Sequence, residues 1–255
     1  MTDQIIETRQ GGVLILTLNR PAKKNALTAE MYGALADAMA AAESDPAIRV
    51  VLFKGAGDCF TAGNDLGDFA AVAAGGASSN NVGRFLKALA HAEKPYVAAV
   101  HGLAVGVGVT MLLHCDLVYV ADDAKLTTPF VNLALAPEAA SSWLLPARIG
   151  HARAYEMFAL GAPVTGDKAV AWGLANGAGT ADEVHAAALA AAHALAGKPA
   201  GALKVTKTLM RDREAISALM DLEGEQFAKR LRTAEAAEAF AAFRERRAPD
   251  FSKIA

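Results

Sequence analysis

Two stretches, Cys59-Phe60-Thr61-Ala62-Gly63-Asn64-Asp65-Leu66 and His101-Gly102-Leu103-Ala104-Val105-Gly106-Val107-Gly108-Val109-Thr110, each place glycine-rich backbone between a strand-like run and a helix-like one. Such a junction leaves N–H groups without an intrahelical acceptor, and the helix dipole adds partial positive charge there. Two such amides aimed at one point make an oxyanion hole, which a thioester carbonyl needs when its neighbouring carbon loses a proton. On spacing alone the simpler reading is that the glycines let strand and helix pack closely. Neither stretch fits the dinucleotide fingerprint, and the chain has no Walker-type Gly-Lys-[Ser/Thr] run.

The rest of the first two thirds repeats this grammar. IIETR and VLILTL read as strands joined by a Gln-Gly-Gly turn, and VVLFKG as a short buried strand. Thr28 is placed to cap a helix through MYGALADAMAAAE, which Asp45-Pro46 ends. VGRFLKALAHAE reads as a helix, PYVAAVHG as a strand, VGVGVTMLLH as a buried helix and DLVYVA as the next strand. Residues Ala70 to Ser79 read as a mobile surface segment. Strand, glycine turn, helix and strand in repetition argue for stacked β-β-α units in an α/β chain. From Trp143 onward the reading changes to helices; Gly173 to Gly179 and the long helix through DEVHAAALAAAHALAG mark the end of the mixed region, and residues from Lys198 to Arg247 are nearly all helical. The chain therefore divides into a mixed core over 1–197 and a helical region over 198–255.

Bulk properties exclude several classes. The 255 residues are 53% hydrophobic, enough for a sizeable core, and the formal net charge is −2, so no bulk basic field gathers nucleic acid or an anionic membrane. No apolar run is long enough to span a bilayer, and MTDQIIETRQ lacks the pattern of a signal peptide. Two cysteines, Cys59 and Cys115, argue against a disulfide framework or a structural zinc site. A cytoplasmic location is the expectation.

Several motifs, in order, resemble the crotonase (enoyl-CoA hydratase/isomerase) superfamily. They are Asn19-Arg20-Pro21-Ala22-Lys23-Lys24-Asn25-Ala26-Leu27, Phe60 to Leu66, His101 to Cys115-Asp116, and Arg247-Ala248-Pro249-Asp250-Phe251. The resemblance covers essentially the whole chain. It implies a crotonase-like spiral of β-β-α turns with a C-terminal helical trimerisation region, as a homotrimer or a dimer of trimers. It implies an acyl-CoA substrate, with coenzyme A as part of the thioester and no prosthetic group. It places the backbone amides of Asn64 and Val107 in the oxyanion hole, and Lys23, Lys24, Ala26, Ala62 and Leu66 along the CoA moiety. Only the Asn64 amide is needed, so its side chain is free to vary. Val107 stands where many members have glycine, and its branched side chain is expected to narrow the acyl pocket.

The hydratases of this family use two glutamates around one water, and those positions fall at Thr110 and Phe130, neither of which is a useful base. Glu138 is the carboxylate that remains nearby. The stretch from Pro129-Phe130 to Ser142 is similar to that of the peroxisomal-type Δ3,Δ2-enoyl-CoA isomerases, which implies that Glu138 moves a proton between carbons 2 and 4 of the acyl chain. Without the resemblance, Glu138 reads as a first-turn residue on a helix dipole. Other polar residues take plainer readings. His151 and His185 read as surface residues, His114 as a satisfied core residue, Ser141-Ser142 as no nucleophile, and Arg244 to Arg247 as a solvated helix end. Two alternatives stay open: a hydratase or other crotonase-type reaction, and a CoA-ester binding protein without turnover.

Overall fold

A left-handed turn at Gly11, with φ of 57°, folds β1 (Ile5–Gln10) back on β2 (Val13–Leu18) as an antiparallel pair. The coordinates are a computed structural model and describe residues 2–65, 67 and 80–254. Leu66 and nearly all of the 70–79 segment's surroundings, including that segment itself, lie outside the described residues. Thr28 caps α1 (Ala29–Ser44) by accepting a hydrogen bond from the Met31 amide, and the helix stops at Asp45, before Pro46. There follow β3 (Val50–Gly55), α2 (Asn81–His91), β4 (Tyr96–Val100), β5 (Leu103–Val105) and α3 (Val107–Thr110). The chain continues through β6 (Leu117–Ala121), β7 (Lys125–Thr127), α4 (Ser141–Ile149), α5 (His151–Leu160), α6 (Gly166–Ala171) and β8 (Gly177–Gly179). It ends in α7 (Ala181–Ala196), α8 (Ala200–Leu209), α9 (Arg213–Leu231) and α10 (Ala234–Glu245).

The large sheet has the order β1-β2-β3-β4-β6-β8, parallel after its first pair. Both faces of its inner strands β2, β3 and β4 are covered, which explains the apolar character of those strands. Val13, Ile15, Val50, Leu52, Val97 and Ala99 face α7, while Leu14, Leu16, Leu18, Val51, Phe53, Ala98 and Val100 face the main core. A second, narrow sheet pairs β5 with β7 and is widened by single bridges at Leu27–Asn64, Thr61–Ala104 and Leu126–Val164. Each turn of the chain thus contributes a strand to the large sheet and a short extended piece to the narrow one. Among the described residues no helix is long and apolar enough to cross a membrane.

Two readings need correction. Gly177–Gly179, within the glycine stretch that marks the end of the mixed region after the reading changes to helices at Trp143, is a sixth strand of the large sheet, beside β6. Gly-Ala-Gly has no strand propensity of its own, so the free edge of β6 decides its conformation. The buried helix in the second glycine stretch is also shorter than the apolar run suggests. Val105 still belongs to β5, the α-helical part covers Val107–Thr110, and Met111–His114 tightens to a 3-10 turn.

Candidate active site

The narrow sheet brings the two glycine turns together. Thr61 donates its amide to the Leu103 carbonyl at 2.9 Å, and Val105 donates back to the Thr61 carbonyl at 3.1 Å. Gly63 then turns with φ of 86°, and a Cβ there would stand 2.6 Å from the Val105 carbonyl oxygen, so only glycine fits. Gly106 makes the corresponding turn into α3 with φ of 56°. The amides around these turns are spoken for: Gly63 donates to Thr61 Oγ1, Asp65 to the Leu27 carbonyl and Gly106 to the Thr127 carbonyl. The Asn64 and Val107 amides have no protein acceptor among the described residues.

The side chains at these two positions behave differently from expectation. Val107 is 1% exposed and packs in the main core, so it does not narrow the cleft. Its Cβ follows the first turn of α3 inward while the amide stays at the helix N-terminus. The Asn64 side chain is in use, since its Oδ1 accepts a hydrogen bond from the Tyr32 hydroxyl of α1. Tyr32 is fully buried, and its phenol is pushed well above 10 by burial and by the nearby Glu138 charge.

Glu138 lies in the turn before α4 and is 8% exposed. Its Oε1 accepts a hydrogen bond from Thr110 Oγ1 at 2.5 Å. Burial pushes the carboxyl up to about 7; the Thr110 hydroxyl works against the rise, and the charge of Glu223 adds to it. Thr110, where the resemblance puts a hydratase glutamate, thus orients the Glu138 carboxylate instead of supplying one. Phe130 packs at 6.0 Å from the ring of Phe158 and offers no proton.

A cavity of about 330 Å³ opens beside these groups, lined among others by Ala62, Gly63, Asn64, Gly106, Phe130 and Leu135. Glu138 and Val107 are not among its lining residues; Val107 directly follows the lining residue Gly106, and Glu138 lies in the turn that follows the lining residue Leu135. The C-terminal region closes the far side through Phe227, Ala239, Phe243 and Arg247. Arg247 is therefore more than a solvated helix end, and its guanidinium is held by Glu238 and Glu245.

Among the residues that the resemblance puts along the CoA moiety, Ala62 donates its amide to the Lys24 carbonyl, and Ala26 accepts from the Arg20 side chain. Arg20 also pairs with Asp65 at 2.6 Å, tying the first motif to the first glycine loop. Lys23 and Lys24 are exposed, and Lys24 pairs with Asp58. Buried Asn25 accepts from the Arg20 amide and donates to the carbonyls of Ala56 and Cys59, which makes it the knot of this region. Tyr32 and Glu223 escaped sequence reasoning. The period of α1 marks Tyr32 only as core, and Glu223 sits 85 residues beyond Glu138 in an otherwise charged helix. His185 is half-buried and bonded to His101 at 3.2 Å, rather than a surface residue.

Comparison with known proteins places these features. Residues 8–253 match the family model described as enoyl-CoA hydratase/isomerase. Enoyl-CoA delta isomerase 2 of Rattus norvegicus is 35% identical over 82% of this chain, which spans 55% of that protein. The 1,2-epoxyphenylacetyl-CoA isomerase of Escherichia coli K12 is 34% identical over 99% of both chains. Proteins named as hydratases match as well. Among solved structures, an enoyl-CoA hydratase/isomerase from Pseudoalteromonas atlantica T6c superposes with a TM-score of 0.92 at 42% identity, covering 98% of this chain and 100% of that one. With a family model spanning nearly its whole length and a solved relative superposing over nearly all of it, the chain belongs to the enoyl-CoA hydratase/isomerase family, in the crotonase superfamily.

Proposed function

We propose that the protein shifts the double bond of a 3-enoyl-CoA to position 2. The thioester carbonyl oxygen sits between the Asn64 and Val107 amides. Glu138 takes a proton from carbon 2, the electron pair moves toward the carbonyl, and the dienolate oxygen is stabilised by the two N–H donors. The protonated Glu138 then delivers a proton to carbon 4, which leaves a 2-enoyl-CoA and restores the carboxylate. One carboxylate suffices because the same group removes and returns the proton.

The observation that carries this reading is Glu138 itself: a buried carboxyl raised to about 7, fixed by Thr110, where the second hydratase position is a phenylalanine. A base near neutrality is half ionised at the working pH and protonated readily by the substrate. The CoA moiety runs along Lys23, Lys24, Ala26, Ala62 and Leu66 in this proposal, with the lysines toward its phosphates. Trimer formation, or a dimer of trimers, belongs to the same reading. Leu209 and Met210 are 82% and 78% exposed at the end of α8, apolar surface suited to burial between subunits. The two free, buried thiols suit the cytoplasm.

The test is a side-by-side assay of 3-enoyl-CoA and 2-enoyl-CoA esters with the native protein and Glu138→Gln. Isomerisation is expected to exceed hydration in the native protein and to fall by roughly two orders of magnitude or more in the variant, with CoA-ester binding retained. Fast hydration with poor isomerisation would replace the isomerase reading by a hydratase one. Normal isomerisation by Glu138→Gln would remove Glu138 from the mechanism, and binding without turnover of either ester would leave a CoA-ester binding protein.

A further inference from the structure

The turn that carries Glu138 is built against its own sequence. Ser141 donates its amide to the Glu138 carbonyl at 3.1 Å, closing a four-residue turn whose central residues are Ala139 and Ala140. Both have left-handed backbone, with φ of 62° and 55°. A turn with positive φ at both central positions normally has Asn-Gly or Gly-Gly there, because a Cβ is strained in that region. Two alanines do not hold such a turn, so the strain is borne by whatever surrounds them.

What surrounds them is a pair of side chains on one peptide group. The carbonyl of Ala139 faces His114 Nε2 at 2.8 Å, and the amide of Ala140, on the other side of the same peptide plane, donates to Glu223 Oε2 at 2.6 Å. Arg211 donates to His114 Nδ1 at 2.7 Å, which makes Nδ1 the acceptor and puts the ring proton on Nε2, toward Ala139. Burial, then the charge of Arg211, pushes His114 down to about 3, so the ring is neutral. The other oxygen of Glu223 takes the Ser142 amide at 2.9 Å and the Ser142 hydroxyl at 2.5 Å. A simple helix cap needs only the Ser142 amide; the bond to Ala140 lies outside the helix and is extra. Ile216 and Met220 of α9 pack on both alanines and complete the clamp.

We propose that His114 and Glu223 are positioning residues that hold the Ala139–Ala140 peptide in one orientation and thereby keep the Glu138 carboxylate on Thr110, within reach of the acyl chain. This rests on Glu138 being the base and makes the C-terminal helix α9 part of the base's mounting. Without the clamp, the peptide flips to relieve the left-handed backbone and Glu138 turns away. Glu223 also brings a negative charge toward Glu138. Among the described residues, Tyr32 from α1 and Thr110 from α3 also face that carboxyl, while neutral His114, backed by Arg211, meets the Ala139 carbonyl behind the turn.

The test uses the full chain with 3-hexenoyl-CoA. Glu223→Gln keeps the volume but loses the charge and places an NH2 group against an amide donor. Its kcat is expected to fall by roughly one to two orders of magnitude, the scale of a small misplacement of a reacting group, with KM nearly unchanged. The acid limb of its pH profile should move to lower pH, and its crystal structure should show the Ala139–Ala140 peptide reoriented and Glu138 off Thr110. Ser142→Ala removes one bond to Glu223 and leaves the peptide clamp, so its kcat should stay within about twofold of the native value. Unchanged kcat and an unmoved Glu138 in Glu223→Gln would overturn the clamp, as would a Ser142→Ala variant as impaired as Glu223→Gln. Should Glu223→Gln not fold, hydrogen exchange of the native Ala140 amide decides. Protection equal to the core supports the clamp, and loop-like exchange overturns it. The Glu138→Gln assay judges the base separately, since the orientation of the peptide in the Glu223 variant does not depend on what Glu138 does chemically.

Discussion

Two kinds of turn serve this site, and they are built in opposite ways. At Gly63 and Gly106 the chain adopts positive φ with residues that tolerate it, and neighbouring backbone bonds hold the geometry. At Ala139–Ala140 the chain adopts positive φ twice with residues that resist it, and distant side chains hold the geometry. The first kind produces backbone donors, which need only a fixed main chain. The second presents a carboxylate, whose charge and position depend on everything packed around it. A site that needs dipoles can rely on local sequence, while a site that needs a tuned base draws on the whole fold.

The sharpest way to break this comparison is Gly63→Ala. Its Cβ would meet the Val105 carbonyl at 2.6 Å with φ of 86°, and no side chain can move aside to relieve it. A loss of at least roughly 2 kcal/mol is expected, with activity falling alongside stability. Retention of the native melting temperature would show that the first turn, too, is held by its surroundings.

The pH behaviour of Glu138 sharpens the other half. In the proposed mechanism Glu138 acts as the ionised base, so kcat/KM should fall about tenfold per pH unit below about 7. Stability should run the other way. The folded protein binds this proton more tightly than the unfolded chain, so the contribution is fully present below about 4.5 and is lost as pH rises through about 7. Glu138→Gln should therefore melt above the native protein at pH 8, by a difference worth roughly 3 kcal/mol at most, and the gap should close toward pH 4.5. A gap independent of pH would mean that Glu138 is solvated in the folded state.

Smaller effects separate the two regions further. Tyr32→Phe removes the hydroxyl on Asn64 Oδ1 and leaves the Asn64 amide in place. A severalfold drop in kcat, on the scale of about 1 kcal/mol, is expected, and a drop of two orders of magnitude would make Tyr32 a direct participant. Ala139→Gly should have the least effect, within about 1 kcal/mol in a melting experiment. Relief of left-handed strain is offset by the added freedom of the unfolded chain. A large stabilisation would show that the clamp leaves much of the strain unrelieved.

The readable parts of this protein were those written in short-range pattern. The mostly apolar run Val13–Leu18, the Thr28 cap and the glycine turns follow from periodicity, capping chemistry and backbone freedom, all properties of adjacent residues. The stacked β-β-α units were legible for the same reason, whereas the spiral, the family and the reading of Glu138 as the remaining carboxylate came from the resemblance of the motifs. Tertiary structure alone decided that Val107 turns its side chain into the core, that Asn64 spends its side chain on Tyr32, that Gly177–Gly179 becomes a strand, and that Phe227 and Phe243 wall the cleft. It also decided the bond from Glu223 to a peptide 83 residues away. Contacts at that separation leave no periodic trace in a sequence, and the free energy of a buried charge is set by the groups that packing brings around it.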